Sequence, residues 1–270
     1  DCANGAAYRT APDTLRDLGA EVMAMADEPD GFNINDGCGA LHPEALAARV
    51  VDTGADIGIA LDGDADRLIL VDETGTKIDG DQVLACLASA MQAAGTLTGG
   101  GVVGTMMTNG GIEPFLDGLG LALHRTRVGD RYVLEAMREN GINLGGESSG
   151  HILMTSLSTS GDGLIAALQM LRLLAQDGRP ASLLFHVFTP KCQKMENLRG
   201  IERAVLDLPA VADGLGNIET GLADKGRILV RASGTENLLR VMVEADDAAL
   251  VDSTIREIIL LIEREANNIQ

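Results

Sequence analysis

The sequence has no tryptophan, and aromatic residues fill only 2% of its 270 positions. Stacking of bases or sugar rings on aromatic faces therefore has little to work with. The core must be built from aliphatic side chains and methionine. Lysine is also scarce, at four of the 21 basic residues, and 40 acidic groups leave a formal charge of −19. A chain this acidic repels nucleic acid and anionic lipid, so neither is expected as a partner. The four cysteines, Cys2, Cys38, Cys86 and Cys192, are scattered and form no CxxC pair. That excludes a zinc site of the usual spacing and predicts reduced thiols in a cytoplasmic setting. No signal-peptide pattern and no apolar run of bilayer length can be read, so a membrane partner is not expected either.

What is present points to folded domains. Hydrophobic residues make up 46% of the chain, enough for a substantial core. The length suits two or three compact units. Strand and helix patterns alternate to about residue 185. Helices are expected at 11–19, 43–54, 81–94, 111–119, 130–139 and 161–177, the last apolar enough to be buried on most sides. Strands are expected at 20–26, 55–61, 67–71, 101–108 and 121–127, with another after the glycine-rich turn near 145–151. This rhythm predicts a largely parallel sheet covered by helices. The character changes near residue 190. Two strands, 227–231 and 238–245, and a long helix at 247–266 predict a small α+β domain.

Three loops carry chemistry. Asp62-Gly63-Asp64-Ala65-Asp66-Arg67 puts three carboxylates at alternate positions of a tight turn between two apolar strands. Hard oxygen ligands on an open turn suit Mg²⁺. Asp62, Asp64, Asp66 and Glu73 also fall at positions 1, 3, 5 and 12 of a calcium EF-hand loop. Arg67 occupies the place where that loop needs glycine, and strands flank it where helices should. The second loop is Gly145-Gly146-Glu147-Ser148-Ser149-Gly150-His151. Glu147 and Ser149 offer hydrogen-bonding groups suited to adjacent hydroxyls, and His151 is a candidate proton carrier. A glycine-rich hairpin with no ligand is the competing reading. The third loop is Arg231-Ala232-Ser233-Gly234-Thr235-Glu236-Asn237, followed by Arg240. Its backbone N–H groups and hydroxyls can form an anion nest flanked by two guanidinium forks. An acidic chain needs such a local positive cluster to hold a phosphate. A connecting turn with two solvated arginines is the alternative.

The three loops, in this order and spacing, resemble the α-D-phosphohexomutase superfamily. DCANGAAY, EPDGFNINDGCGA, KIDGDQV, VGDRYVLEAM, TSGDGLIAALQ and SGTENLLRVMVEA extend the resemblance to its phosphoglucosamine mutase branch, most weakly over 191–226. The resemblance implies an α/β chain of two phosphohexomutase-type α/β domains, the first truncated, then a small α+β domain resembling the TATA-binding-protein fold. The implied boundaries are 1–78 with the metal loop, 79–185 with the sugar loop and 186–270 with the phosphate loop. It also implies interconversion of glucosamine 6-phosphate and glucosamine 1-phosphate through a phosphoserine and a bisphosphate intermediate. Asp62, Asp64 and Asp66 would hold Mg²⁺, and Arg67 and His151 would serve catalysis. Glu147 and Ser149 would bind the sugar. Arg231, Ser233, Gly234, Thr235 and Arg240 would bind the phosphate that is not reacting. The partner implied is a phosphorylated hexosamine, with room for a homodimer.

Two departures from the family pattern stand out: Asn237 replaces the usual proline, and Ala65 replaces the more frequent glycine. The implied serine loop has no counterpart among the nine serines, so it is expected outside this sequence, and the chain alone is expected to bind without turnover. A phosphomannomutase or phosphoglucomutase, or a non-catalytic magnesium- and sugar-phosphate-binding fragment, remain alternatives.

Overall fold

The computed structural model describes residues 1–233 and 237–267. The chain divides into two compact units, Asp1–Thr189 and Pro190–Gln270. In the first unit, helices α1 (Thr10–Asp17) and α2 (Glu44–Thr53) precede strands β1 (Ile57–Leu61), β2 (Leu68–Asp72) and β3 (Lys77–Ile78). Gly54 ends α2 in the left-handed conformation, with φ of 67°, as the sequence signal predicts. The three strands form an antiparallel sheet in the order β1-β2-β3.

The parallel sheet expected for this region is therefore corrected. Six residues join β1 to β2, and a parallel crossover needs a dozen or more. The strand expected at 20–26 is also absent. That stretch makes isolated backbone bonds, from the Ala20 N–H to Leu15, from the Cys2 N–H to Met25 and from the Asn4 N–H to Ala26, and is not part of a described strand. Its side chains show no clean alternation of buried and exposed positions.

Helix α3 (Gly80–Ala93) follows, capped by the Asp79 carboxylate, which accepts the Gln82 N–H. Then come β4 (Gly101–Thr105), α4 (Ile112–Gly118), β5 (Ala122–Thr126), α5 (Asp130–Asn140), β6 (Leu144–Gly146), β7 (Ile152–Met154), α6 (Gly163–Asp177) and α7 (Ala181–Leu184). The second sheet runs β5-β4-β6-β7, parallel across β5-β4-β6 and antiparallel at the β6–β7 hairpin. Here the alternating rhythm does give parallel pairing. One core cluster runs through both sheets, from Leu61, Leu68 and Leu70 to Val83, Leu84, Leu144 and Ile152. Helix α6 joins it through buried Ala166, Ala167 and Met170, with Leu164, Ile165, Leu173 and Leu174 half-buried against the same cluster and Arg172 and Ala175 exposed. It is therefore amphipathic in place, not buried on most sides.

The second unit holds β8 (Cys192–Arg199), α8 (Pro209–Leu222), β9 (Gly226–Ala232), β10 (Leu238–Ala245) and α9 (Ala248–Asn267). The strands form an antiparallel sheet ordered β8-β10-β9. Ile255, Ile258 and Ile262 of α9 pack on Val241 and Val243. Among the described residues, no helix is long and apolar enough to cross a membrane.

A buried carboxylate clips the turn between β2 and β3. Asp72 is 1% exposed and accepts the N–H groups of Thr74 and Thr76 and the Thr74 hydroxyl, while His186 Nε2 lies 2.8 Å from its other oxygen. Burial pushes its pKa up, but these bonds outweigh that and hold it below the usual value. Asp72→Ala should lower stability by roughly 1–3 kcal/mol, because it removes the shared acceptor of several bonds that hold the turn. Urea unfolding followed by far-ultraviolet circular dichroism measures this.

Candidate functional site

The six-residue connection between β1 and β2 carries the aspartates. Carboxylate oxygens of Asp62, Asp64 and Asp66 all lie within 4.8 Å of one another. Asp62 is buried and its Oδ1 accepts the Arg67 N–H at 3.1 Å. Burial pushes the Asp62 pKa up, the Arg67 N–H bond pulls it back, and the charges of Asp66 and Asp64 push it up again. Arg67 Nε lies 3.6 Å from Asp62 and 3.8 Å from Asp66, long for hydrogen bonds, and Asp66 Oδ1 is buried without a hydrogen-bond partner. Converging carboxylates with an orphaned oxygen fit a small divalent cation. The EF-hand alternative fails on the fold. Strands flank the loop, and Glu73 accepts both the N–H and the hydroxyl of Ser182.

The turn is held by strain and close approach. Ala65 sits at φ 62°, in the left-handed region. Its carbonyl accepts the Gly163 N–H at the start of α6, at 2.8 Å. The second loop closes on the first. The Glu147 N–H donates to the His151 carbonyl at the end of the β6–β7 hairpin, and the Gly150 carbonyl accepts the Leu68 N–H at 3.0 Å. Gly150 has φ of 94°, and a side chain there would overlap the Leu68 carbonyl. Arg67 and His151 form a β-bridge. His151 Nδ1 lies 3.2 Å from Asp66 Oδ2. The ring is 6% exposed, and its Nε2 is buried with no hydrogen-bond partner beneath Gly161, where any side chain would collide with it.

Asp62, Asp64, Asp66, Arg67 and His151 are thus gathered in one place, with Glu147 and Ser149 on the adjoining turn. Glu147 Oε1 accepts the Gly129 N–H at 2.9 Å, at the start of α5, and Ser149 is exposed. Sequence reasoning missed Gly129 as a partner of Glu147. It also missed Asp81, whose Oδ2 accepts the Ser148 hydroxyl at 2.8 Å. The signal for both was in VGDRY and KIDGDQ, stretches noted for resemblance and not for chemistry.

In the second unit, Arg231 and Arg240 stand directly opposite one another on β9 and β10. Burial, then the neighbouring Arg240 charge, lowers the Arg231 pKa. Ser233 N–H donates to the Leu238 carbonyl at 2.9 Å, closing the start of the loop. Gly234 and Thr235 lie outside the described residues.

The sequence matches three family descriptions in succession. They are "Phosphoglucomutase/phosphomannomutase, alpha/beta/alpha domain II" over 1–75, "alpha/beta/alpha domain III" over 79–191 and "C-terminal domain" over 193–261. A phosphoglucosamine mutase of Phenylobacterium zucineum (strain HLK1) is 53% identical over 266 residues, 98% of this chain and 59% of the relative. That of Caulobacter vibrioides (strain NA1000 / CB15N) is 53% identical over 258 residues, 96% of this chain and 58% of the relative. The chain therefore spans under two thirds of the length of these relatives. Among solved structures, a phosphoglucomutase/phosphomannomutase family protein from Burkholderia thailandensis matches with a TM-score of 0.83 at 24% identity, over 98% of this chain and 59% of that one. An N-acetylphosphoglucosamine mutase from Aspergillus fumigatus, in complex with GlcNAc-6P and magnesium, matches with a TM-score of 0.75 at 23% identity, over 100% of this chain and 65% of that one.

Ala65→Gly should raise stability by roughly 0.5–1 kcal/mol, since relief of the left-handed strain exceeds the added chain entropy. Thermal melts of the two proteins in the same buffer test this, and a lower melting temperature for the glycine variant contradicts it.

Proposed function

The chain belongs to the phosphohexomutase family of phosphoglucomutases and phosphomannomutases, and on that premise we propose that its protein interconverts glucosamine 6-phosphate and glucosamine 1-phosphate. The observation that carries this reading is the fusion of the two loops: Asp66 of the acidic turn touches His151 of the Glu147–His151 turn. A cation site and a hydroxyl-binding turn that share a contact suit one phosphorylated sugar, and they do not suit a lone ion site. Identity of 53% to phosphoglucosamine mutases over nearly all of the chain supports the amino sugar among the family's substrates.

In this reading Asp62, Asp64 and Asp66 hold Mg²⁺. The bound ion would neutralise charge on a transferring phosphoryl group. Arg67 adds a guanidinium beside the same carboxylates, placed to stabilise charge on that group. His151 is buried against Asp66, so its contribution is to fix that carboxylate in the cluster; in this reading it replaces the proton-carrying role expected from sequence. Glu147, anchored by the Gly129 N–H through Oε1, keeps Oε2 for ring hydroxyls, and exposed Ser149 adds a hydroxyl. In the second unit the facing pair Arg231 and Arg240, with Ser233, Gly234 and Thr235, binds the phosphate that is not reacting. The phosphoryl donor in this reading is a serine phosphate, and none of the nine serines of this chain stands in the implied serine loop. The sugar hydroxyl attacks phosphorus, the serine oxygen leaves, and the hydroxyl proton passes to a base. Return of the other phosphoryl group to the serine completes the exchange.

Calorimetry of the chain in Mg²⁺ with glucosamine, mannose and glucose 6-phosphates tests the assignment. Glucosamine 6-phosphate should bind tightest, and a clear preference for mannose 6-phosphate would defeat the amino-sugar reading. Asp64→Asn, at the exposed member of the cluster, should weaken Mg²⁺ binding tenfold or more, at least about 1.4 kcal/mol. Titration with Mg²⁺ measures that loss, and an unchanged affinity would remove the acidic turn from the site.

A further inference from the structure

Asp81 is a buried carboxylate that the chemistry above does not use. It sits in the first turn of α3, 2% exposed. Its Oδ2 accepts two bonds, from the Ser148 hydroxyl at 2.8 Å and from the Asn109 N–H at 2.9 Å. Its Oδ1 is buried with no hydrogen-bond partner. The same turn of α3 holds Ser148 a second way, since the Gly80 N–H donates to the Ser148 carbonyl at 3.2 Å. One carboxylate oxygen therefore ties together α3, the loop after β4 and the turn that carries Glu147 and Ser149. Ser148 points its hydroxyl inward to Asp81, so it can affect a ligand only by placing its two neighbours.

Resting on the reading of Glu147 and Ser149 as the sugar-binding turn, we propose that Asp81 is a positioning residue that sets the grip of that turn through Ser148. The hydroxyl has two acceptors in reach, Asp81 Oδ2 at 2.8 Å and the Met107 carbonyl at 3.3 Å. With Asp81 ionised, Ser148 donates to Asp81. With Asp81 protonated on Oδ2, the carboxyl donates to Ser148 Oγ and the serine proton turns to Met107. The proton count balances in both states, but the Asn109 N–H keeps a full acceptor only in the first.

The charged surroundings put the change of state near neutrality. Burial pushes the Asp81 pKa up, Asp79 pushes it further, and the Asn109 and Ser148 bonds and Arg125 pull it back, leaving it at about 7. Arg125 faces the group from β5. It donates to the Thr105 and Thr108 carbonyls and pairs with Glu113. A raised carboxyl pKa contributes stability in full below the ordinary value and loses it as pH rises through about 7. The ionised state that grips the turn best is therefore also the less stable one.

The test is calorimetry with glucosamine 6-phosphate at pH 6, 7 and 8, on the unmodified chain, Asp81→Asn, Ser148→Ala and Glu147→Gln. The ligand titrates too, so each variant is read as a ratio to the unmodified chain at the same pH. Ser148→Ala should bind about three- to tenfold more weakly at pH 8, the size of one typical net hydrogen bond. That loss should shrink toward pH 6 with a midpoint near 7, and Asp81→Asn, which cannot ionise, should show a ratio that changes over the same range. Circular dichroism melts check folding, and Asp81→Asn should melt higher than the unmodified chain at pH 8. Ratios for Asp81→Asn and Ser148→Ala that stay at one across the range, with Glu147→Gln weakened, overturn the role of Asp81 and leave the sugar turn standing. If Asp81→Asn does not fold, the Ser148→Ala ratio alone decides. No binding by the unmodified chain, or no effect of Glu147→Gln, overturns the sugar-turn reading and this proposal with it.

Discussion

Three carboxylates forced within 4.8 Å of one another are the constraint around which the first unit is arranged. Burial raises the Asp62 pKa, and the charges of Asp66 and Asp64 raise it further against the pull of the Arg67 N–H. The chain contributes only partial relief. Arg67 approaches at 3.6 and 3.8 Å, short of hydrogen bonding, and the half-buried cluster leaves Asp66 Oδ1 without a partner. A fold selected for stability alone would replace one aspartate or bring Arg67 closer. The residual repulsion is instead what a divalent cation would relieve, and this makes affinity for the ion and stability of the turn one quantity.

The backbone around the cluster carries strain of the same kind. Ala3, Asn4, Asn35 and Ala65 have positive φ without being glycine. They are neighbours in space as well: the Asn35 N–H donates to the Ala3 carbonyl, and the Ala6 N–H to the Gly63 carbonyl. Each left-handed residue costs roughly 1–2 kcal/mol. Such a concentration persists only where surrounding packing over-determines the conformation. Here that packing is the sheet of β1 and β2 on one side and the start of α6 on the other. Gly150 and Gly161 complete it by letting the Glu147–His151 turn and the His151 ring press in without side chains between.

Much of this was legible in the sequence, and the failures have identifiable causes. The acidic turn could be read because alternating aspartates between two apolar runs have few other uses, and the glycine stop of α2 because only a left-handed C-cap demands it there. Sheet polarity in the first region was misread because a strand–helix rhythm was allowed to outweigh loop length. β8 and α8 were missed for opposite reasons. β8 is an edge strand whose sequence, CQKMENLR, shows no apolar alternation, and α8 carries Gly214, Gly216 and Gly221, which mask its helical period. Asp81 and Gly129 escaped because their roles depend on contacts across 67 and 18 residues. No local pattern encodes such pairings.

Charge offers the last link between composition and site. The chain carries −19 overall, yet Arg231 and Arg240 are placed directly opposite each other on adjacent strands. Like charges in that register repel, and the lowered pKa of Arg231 reflects both its burial and its neighbour. A glutamate at the facing position of an adjacent strand can pair an arginine directly. β10 does this elsewhere: Glu244 is buried against Arg227 at 2.8 Å, four residues from Arg240 on the same strand. The same two strands thus pair an arginine with acid at one end and an arginine with an arginine at the other.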